Sequence, residues 1–353
     1  MREITSQTAA EYLQAAGRVA KAESIEVREL AGGVSNVVLL VTLPASGERF
    51  VVKQARGRLR VKDEWLCPVE RIWREVEVLQ VCGKLLQTRS AEGGMRNEEQ
   101  VKIVVPRLLW EDRANYCYAM TAAPDEHRTW KKILFAGEIE LNCNLAVACG
   151  QLLGQLHAGS WENCEFAAIF EDRTYFEQLR LDPYYRQIAR VHVDLAPAIE
   201  RLIDSVWQNR RSLVHGDFSP KNLLVWPGHT MLIDFEVGHY GDPAFDLGFF
   251  LTHLVLKSVW AGERRSEYLK TADNFWRTYQ ATMLRTVATD ELASLEQRML
   301  WNIAGCMLAR VDGKSPVDYL TVDQQSVVRE LARSWIIDPP QTWEDAIGEL
   351  SRQ

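Results

Sequence analysis

Residues 215–236 read HGDFSPKNLLVWPGHTMLIDFE. An acid, Asp217, follows His215-Gly216, and a carboxamide, Asn222, completes a D-x-x-x-x-N spacing just ahead of the apolar run Leu223-Leu224-Val225. A second apolar run, Met231-Leu232-Ile233, ends in Asp234-Phe235-Glu236. With Pro227-Gly228-His229-Thr230 turning the chain between them, the two runs read as a hairpin whose open end brings Asn222 and Asp234 together. Two oxygen donors at one point suit Mg²⁺.

A loose phosphoryl transition state needs charge neutralisation and alignment more than covalent chemistry. Two oxygen ligands for Mg²⁺ and one carboxylate to receive a hydroxyl proton are the minimum equipment. The pattern therefore predicts Asn222 and Asp234 as metal ligands and Asp217 as the group that orients and deprotonates an acceptor hydroxyl.

The spacing matches the protein-kinase signature in outline, with HGD in place of HRD and DFE in place of DFG. Those departures, together with GHYGDPAFDLGFF at residues 238–250, resemble the phosphotransferase family of aminoglycoside phosphotransferases, choline kinases and methylthioribose kinases. The resemblance implies an α+β, protein-kinase-like, two-lobed fold with a small antiparallel-sheet lobe and a larger helical one. It also implies ATP as donor and, as in choline kinases, a metal-assisting role for Glu236. KQARGRLRVKDEW, residues 53–65, resembles the same region of methylthioribose kinases, whereas Asn222 and Phe235 depart from their catalytic segment.

The chain has 353 residues, 47% hydrophobic and 25% charged, as in ordinary soluble proteins. Its net charge of −7 argues against nucleic acid as the main partner, because phosphate-backbone binding needs a basic field. Cys67, Cys82, Cys117, Cys143, Cys149, Cys164 and Cys306 are odd in number and form no C-x-x-C pair, which points to reduced, mostly buried thiols. MREITSQTAAEYLQAAGRVA reads as an amphipathic helix rather than a signal peptide, and no apolar run reaches the roughly 18 residues of a membrane span. A cytoplasmic protein with no membrane partner is expected.

Three strand-like runs, SIEVREL, VVLLVTL and RFVVKQA, are separated by Ala31-Gly32-Gly33 and Pro44-Ala45-Ser46-Gly47 and predict an antiparallel meander. A helix follows over 68–86, then a polar loop over 88–100, then strand-like VKIVVPRLLWED and NYCYAMTA. A hinge falls around 121–127. The expected division is a nucleotide-binding lobe at 1–122, a hinge at 123–128 and a helical lobe at 129–353 carrying the catalytic loop and acceptor site. Within it, 145–157, 249–259, 263–285, 290–310 and 322–336 read as helices.

Lys53 interrupts the apolar strand Phe50-Val51-Val52, where a charge needs a reason to be, and it reads as the phosphate-binding lysine. Glu75 is its best helical partner, with Glu77 and Glu70 competing. The loop GGVSN fits either a phosphate flap, with Ser35 and Asn36 as contacts, or a plain hairpin turn. Met120 would back an adenine pocket whose backbone contacts come from Thr121 to Ala123. His215 and Asp246 read as structural supports of the catalytic loop, and Lys221 as a contact to phosphate or to solvent alone.

Asp234-Phe235-Glu236 runs into Gly241-Asp242-Pro243 without an activation segment, which favours a small-molecule hydroxyl acceptor over a protein. From Phe250 onward 14 acidic residues face 12 basic ones, a balance that argues against a polycationic acceptor. Arg310, Asp312 and Lys314, around a glycine at a helix end, are the candidate border of the acceptor pocket. A sugar, an amino alcohol or an aminoglycoside-like molecule all remain open as acceptor. A catalytically silent nucleotide-binding module is the alternative, and a protein kinase a more remote one.

Overall fold

The computed structural model describes residues 1–30, 35–58, 67–91 and 101–352. The meander forms as β1 (Glu26–Glu29), β2 (Asn36–Leu43) and β3 (Glu48–Ala55). Past Pro106, which has no N–H to give a ladder, the segment expected as one strand divides into β4 (Lys102–Val104) and β5 (Leu108–Asp112). β6 (Cys117–Thr121) completes a five-stranded antiparallel sheet of order β1-β2-β3-β6-β5, which β4 does not join.

Strand parity sorts the side chains of this sheet. Val37, Leu39, Val41, Phe50 and Val52 face a small core closed by Ile4, Ala9, Tyr12 and Leu13, so the amphipathic N-terminal helix (Ala9–Ala15) lies on the outer face. Leu40, Val51, Ala55, Tyr118 and Met120 face the main core, where the helix Arg71–Ala91 packs Ile72, Val76 and Leu79. Lys53 shares the parity of Val51 and Ala55. Its charge is thereby carried inward, toward that helix.

After β7 (Arg128–Thr129) the chain is mainly helical. The catalytic window is bracketed by β8 (Ser212–Val214) and β11 (His239–Gly241), which pair antiparallel with His239 opposite Val214. Between them β9 (Leu223–Trp226) and β10 (His229–Leu232) form the expected hairpin. β4 joins its β10 edge in parallel and β7 its β9 edge, so two segments from upstream of the helical region are tied to it. The helix Pro243–Trp260 is apolar on nearly all sides and runs through the core, with the helix Thr289–Asp312 across it. Helix Ile139–Ser160 packs on Arg265–Met283 through Gly150 and Gly154; a Cβ on Gly150 would stand 2.4 Å from the carbonyl oxygen of Phe275.

Sequence periodicity did not reveal the segment Glu177–Arg186, a wide π-helical turn containing Pro183. Helices Ala196–Gln208 and Trp343–Arg352 were likewise not anticipated. All seven cysteines are free thiols, five of them buried. Among the described residues no helix is long and apolar enough to cross a membrane.

Candidate active site

β3 delivers the Lys53 ammonium 2.6 Å from Glu75 Oε1 and 2.6 Å from Asp234 Oδ1. Lys53 and Glu75 are 5% and 1% exposed, so each charge depends on its partner to offset lost hydration. Glu75 lies on the buried helix face with Ile72 and Val76. Glu77 and Glu70 are exposed, Glu77 facing Arg74 at 3.8 Å, and neither reaches the lysine. Burial pushes the Glu75 carboxyl up to about 7 against the pull of Lys53. Burial also works against the Asp234 carboxylate, yet Lys53 and Lys221 override it and hold the carboxyl below its usual range.

The catalytic loop hangs on Asp246, at the start of the helix Pro243–Trp260. Its two oxygens accept the backbone N–H groups of His215 at 2.7 Å and Gly216 at 2.8 Å. His157 Nε2 lies 3.3 Å from Asp246, and its Nδ1 lies 2.9 Å from the Tyr279 hydroxyl. Gly216 has φ +75°, and a Cβ there would press on Val237 at 2.7 Å, so both backbone conformation and space call for glycine. The His215 ring is lowered from its usual pKa by burial, and its Nδ1 accepts the Asp217 N–H at 3.1 Å. Its place is in shaping the loop.

Asp217 is 4% exposed and held on both oxygens. Arg180 Nη2 is 2.7 Å from Oδ1, Lys221 Nζ is 2.9 Å from Oδ2, and Asn222 Nδ2 donates to Oδ2 at 2.9 Å. Burial raises its pKa, but Arg180 first and Lys221 second outweigh that, leaving the carboxyl below the usual range and ionised. Arg180 also donates to the carbonyls of Gly216 at 2.7 Å and Leu179 at 2.6 Å. It comes from the π-helical turn, and no motif announced it; an arginine set between Leu179 and Leu181 was the available signal.

The hairpin brings Asn222 and Asp234 to its open end, where the Ile233 N–H donates to the Asn222 carbonyl at 3.0 Å. Asp234 has φ +74°, a left-handed conformation that costs a non-glycine residue roughly 1–2 kcal/mol. Strain of this kind is retained where it aims a side chain. With Asn222 Nδ2 spent on Asp217, the remaining donor is Oδ1. Asp234 is ionised with its side chain 24% exposed. Two hard oxygen donors of this kind fit Mg²⁺.

Glu236 sits differently. Oε1 accepts from Ser35 Oγ at 2.6 Å, while Oε2 accepts from Asn36 Nδ2 at 3.0 Å and Arg71 Nε at 3.1 Å. Glu75, Asp234 and Glu236 come within 4.8 Å of one another, and in this arrangement Lys53 binds the first two and Arg71 the third. The Ser35 and Asn36 side chains are directed to this carboxylate, joining β2 to the loop after Asp234. Arg71, fully buried, also binds the carbonyls of Ser35, Arg56 and Cys67, and sequence reading missed it. Gly32, Gly33 and Trp65 lie outside the described residues.

At the hinge, Met120 and Ala123 are 8% and 7% exposed, and Thr121 is half-buried. The Thr121 N–H is used within the sheet, on the Arg107 carbonyl at 3.0 Å. Arg310 and Asp312, two residues apart on one helix, diverge. Asp312 is bound by Arg329 at 2.8 Å through two bonds and by His192 at 2.9 Å, a clasp between helices, and Lys314 is exposed. Arg310 turns to Ser315 Oγ at 3.1 Å. A recess of about 320 Å³ near Val225, Trp226 and His229 lies at the turn end of the hairpin and contains none of the expected site residues.

The sequence model of the phosphotransferase enzyme family matches residues 26–286. A methylthioribose kinase of Exiguobacterium sibiricum is 22% identical over 308 residues, covering 79% of this chain and 73% of that protein. One from Pectobacterium atrosepticum is 23% identical over 333 residues, covering 82% and 77%. The likeness to methylthioribose kinases thus extends well beyond the N-terminal lobe. In fold, a choline kinase of Cryptosporidium parvum superposes with a TM-score of 0.55 at 10% identity, covering 99% of this chain and 97% of that one. The chain belongs to the phosphotransferase enzyme family and is a small-molecule kinase with a two-lobed, protein-kinase-like fold.

Proposed function

We propose that this protein transfers the γ-phosphoryl group of ATP, with Mg²⁺, to a hydroxyl of a small metabolite. The observation that carries the reading is the clamp on Asp217. A carboxylate held ionised by Arg180 and hydrogen-bonded to Asn222 would take a hydroxyl proton. The acceptor oxygen would attack the γ-phosphorus, ADP would leave, and the hydroxyl proton would pass to a carboxylate oxygen of Asp217. Lys53, set by Glu75, would hold the nucleotide phosphates, and the backbone after Thr121 would hold its base. Asn222 Oδ1 and Asp234 would hold Mg²⁺, which when bound neutralises phosphate charge.

ADP release across amino alcohols, sugars, thiosugars and hydroxy acids tests the reading. Turnover that requires both an acceptor and Mg²⁺ supports it. ATP hydrolysis indifferent to every acceptor, or phosphorylation of protein alone, would overturn it.

A further inference from the structure

Phe249, His253 and Lys257 follow one another a turn apart on one face of the helix Pro243–Trp260. The face begins beside the catalytic carboxylate: Arg180, which holds Asp217, stands 5.4 Å from the centre of the Phe249 ring, and Phe249 is 5.3 Å from His253. Two turns on, Lys257 is 1% exposed, and its ammonium donates to the His253 carbonyl at 3.2 Å. The ammonium lies 5.3 Å from the rings of both Phe135 and Tyr319. Among the described residues no carboxylate reaches it within 4.0 Å, whereas Lys53, Arg71 and Arg180 each have one.

The surroundings add positive charge. Burial first, and then the charged neighbours Lys131 and Arg310, draw the Lys257 pKa down to about 7. His253 is pushed well below its usual value by burial, then by Lys257, Arg310, Lys221 and Lys131. On the acidic side stands the exposed Asp318, which acts on Tyr319, while Asp217 is already matched by Arg180 and Lys221. Arg310 Nε and Tyr319 Oη are buried atoms with no hydrogen-bond partner. Two ring faces attract a cation, but they do not replace the hydration that an ammonium loses on burial. Donors without acceptors, around a cation without an anion, describe one half of an ion pair.

We propose that Lys257, Arg310 and Tyr319 form an anion-binding subsite, and that the phosphoryl acceptor is an alcohol bearing a carboxylate or phosphate group. The inference rests on the kinase reading above and names the acceptor's class. The anion would sit one to two helical turns, on the order of 6–12 Å, beyond the level of Phe249. An acceptor with a chain of several atoms between its hydroxyl and its anion meets that span, and choline or an aminoglycoside would meet repulsion there.

Four hexose derivatives of one skeleton separate the possibilities: gluconate, glucose 6-phosphate, glucose and glucosamine. Calorimetric titration of the wild-type chain should show saturable binding of at least one of the two anions, at least tenfold tighter than glucose or glucosamine. The stronger anion tells carboxylate from phosphate. Lys257→Met should abolish the preference while leaving ATP affinity unchanged. Equal binding of glucose or glucosamine, no saturable binding of either anion, or an anion preference that survives Lys257→Met would overturn the subsite. If the subsite binds anions and no acceptor elicits ADP release, the kinase reading fails and the subsite stands. If only cationic acceptors are turned over, the reverse holds.

Discussion

Arg180 Nη2 stands 2.7 Å from Asp217 Oδ1, a contact between a π-helical turn and the catalytic loop that fixes the carboxylate from the side opposite Asn222. Removing the guanidinium releases Oδ1, leaves Oδ2 to Lys221 and Asn222, and raises the carboxyl's pKa. A base whose pKa rises loses its ionised form at higher pH, so the acid limb of the rate profile moves upward. Arg180→Met should lower kcat by about tenfold or more and shift the acid limb of kcat against pH to higher pH. An unmoved limb would separate Arg180 from the charge state of Asp217.

Asp246 accepts two backbone N–H groups of the catalytic loop and faces His157. Asp246→Ala leaves buried donors unsatisfied, a loss of roughly 2–4 kcal/mol. Thermal or urea unfolding should register that loss, with kcat falling alongside because the loop carries Asp217. Full stability would show that the loop holds its shape without this anchor.

Asn222→Ala and Asp234→Asn each remove one oxygen donor from the hairpin's open end. Titrating Mg²⁺ at fixed ATP should show the half-saturating concentration rising at least tenfold in Asn222→Ala, a difference of about 1.4 kcal/mol or more. Glu236→Gln should instead loosen the link from Ser35, Asn36 and Arg71, lowering thermal stability with a smaller change in metal requirement. The opposite ranking would make Glu236 a metal ligand.

Lys257 carries a stability cost with a definite pH signature. Its folded pKa of about 7 lies below the ordinary 10.5. Below pH 7 the ammonium is charged in both states, and between 7 and 10.5 the unfolded chain retains a proton that the folded chain has released. Stability contributed by this group therefore rises with pH across that window. Lys257→Met should stabilise the chain at neutral pH by about 1–3 kcal/mol and remove the rise. Melting temperatures of both proteins from pH 6 to 10 check this.

The legible parts of the site are those where sequence neighbours are also neighbours in space. Asp217, Asn222 and Asp234 sit on one loop and hairpin, so their spacing carried their geometry. Lys53 stood out because a charge interrupted an apolar strand, and strand parity settled its direction. Glu75 was separated from Glu77 only by which helix face is buried. Arg180 and Arg71 form their pairings across long stretches of chain, through helices whose packing no local pattern encodes. The division of 101–112 into two strands turned on Pro106, and the partner of the first strand, β10, lies far downstream. Asp312 was read as a pocket border from its place at a helix end, and its bonds to Arg329 and His192 come from elements that sequence spacing did not link to it.

In the proposed reaction Asp217 receives the acceptor proton. Asp217→Asn keeps the shape of the side chain and removes its basicity. ADP release with the true acceptor should fall by at least about 100-fold, with ATP affinity unchanged. Turnover within twofold of the wild type would contradict it.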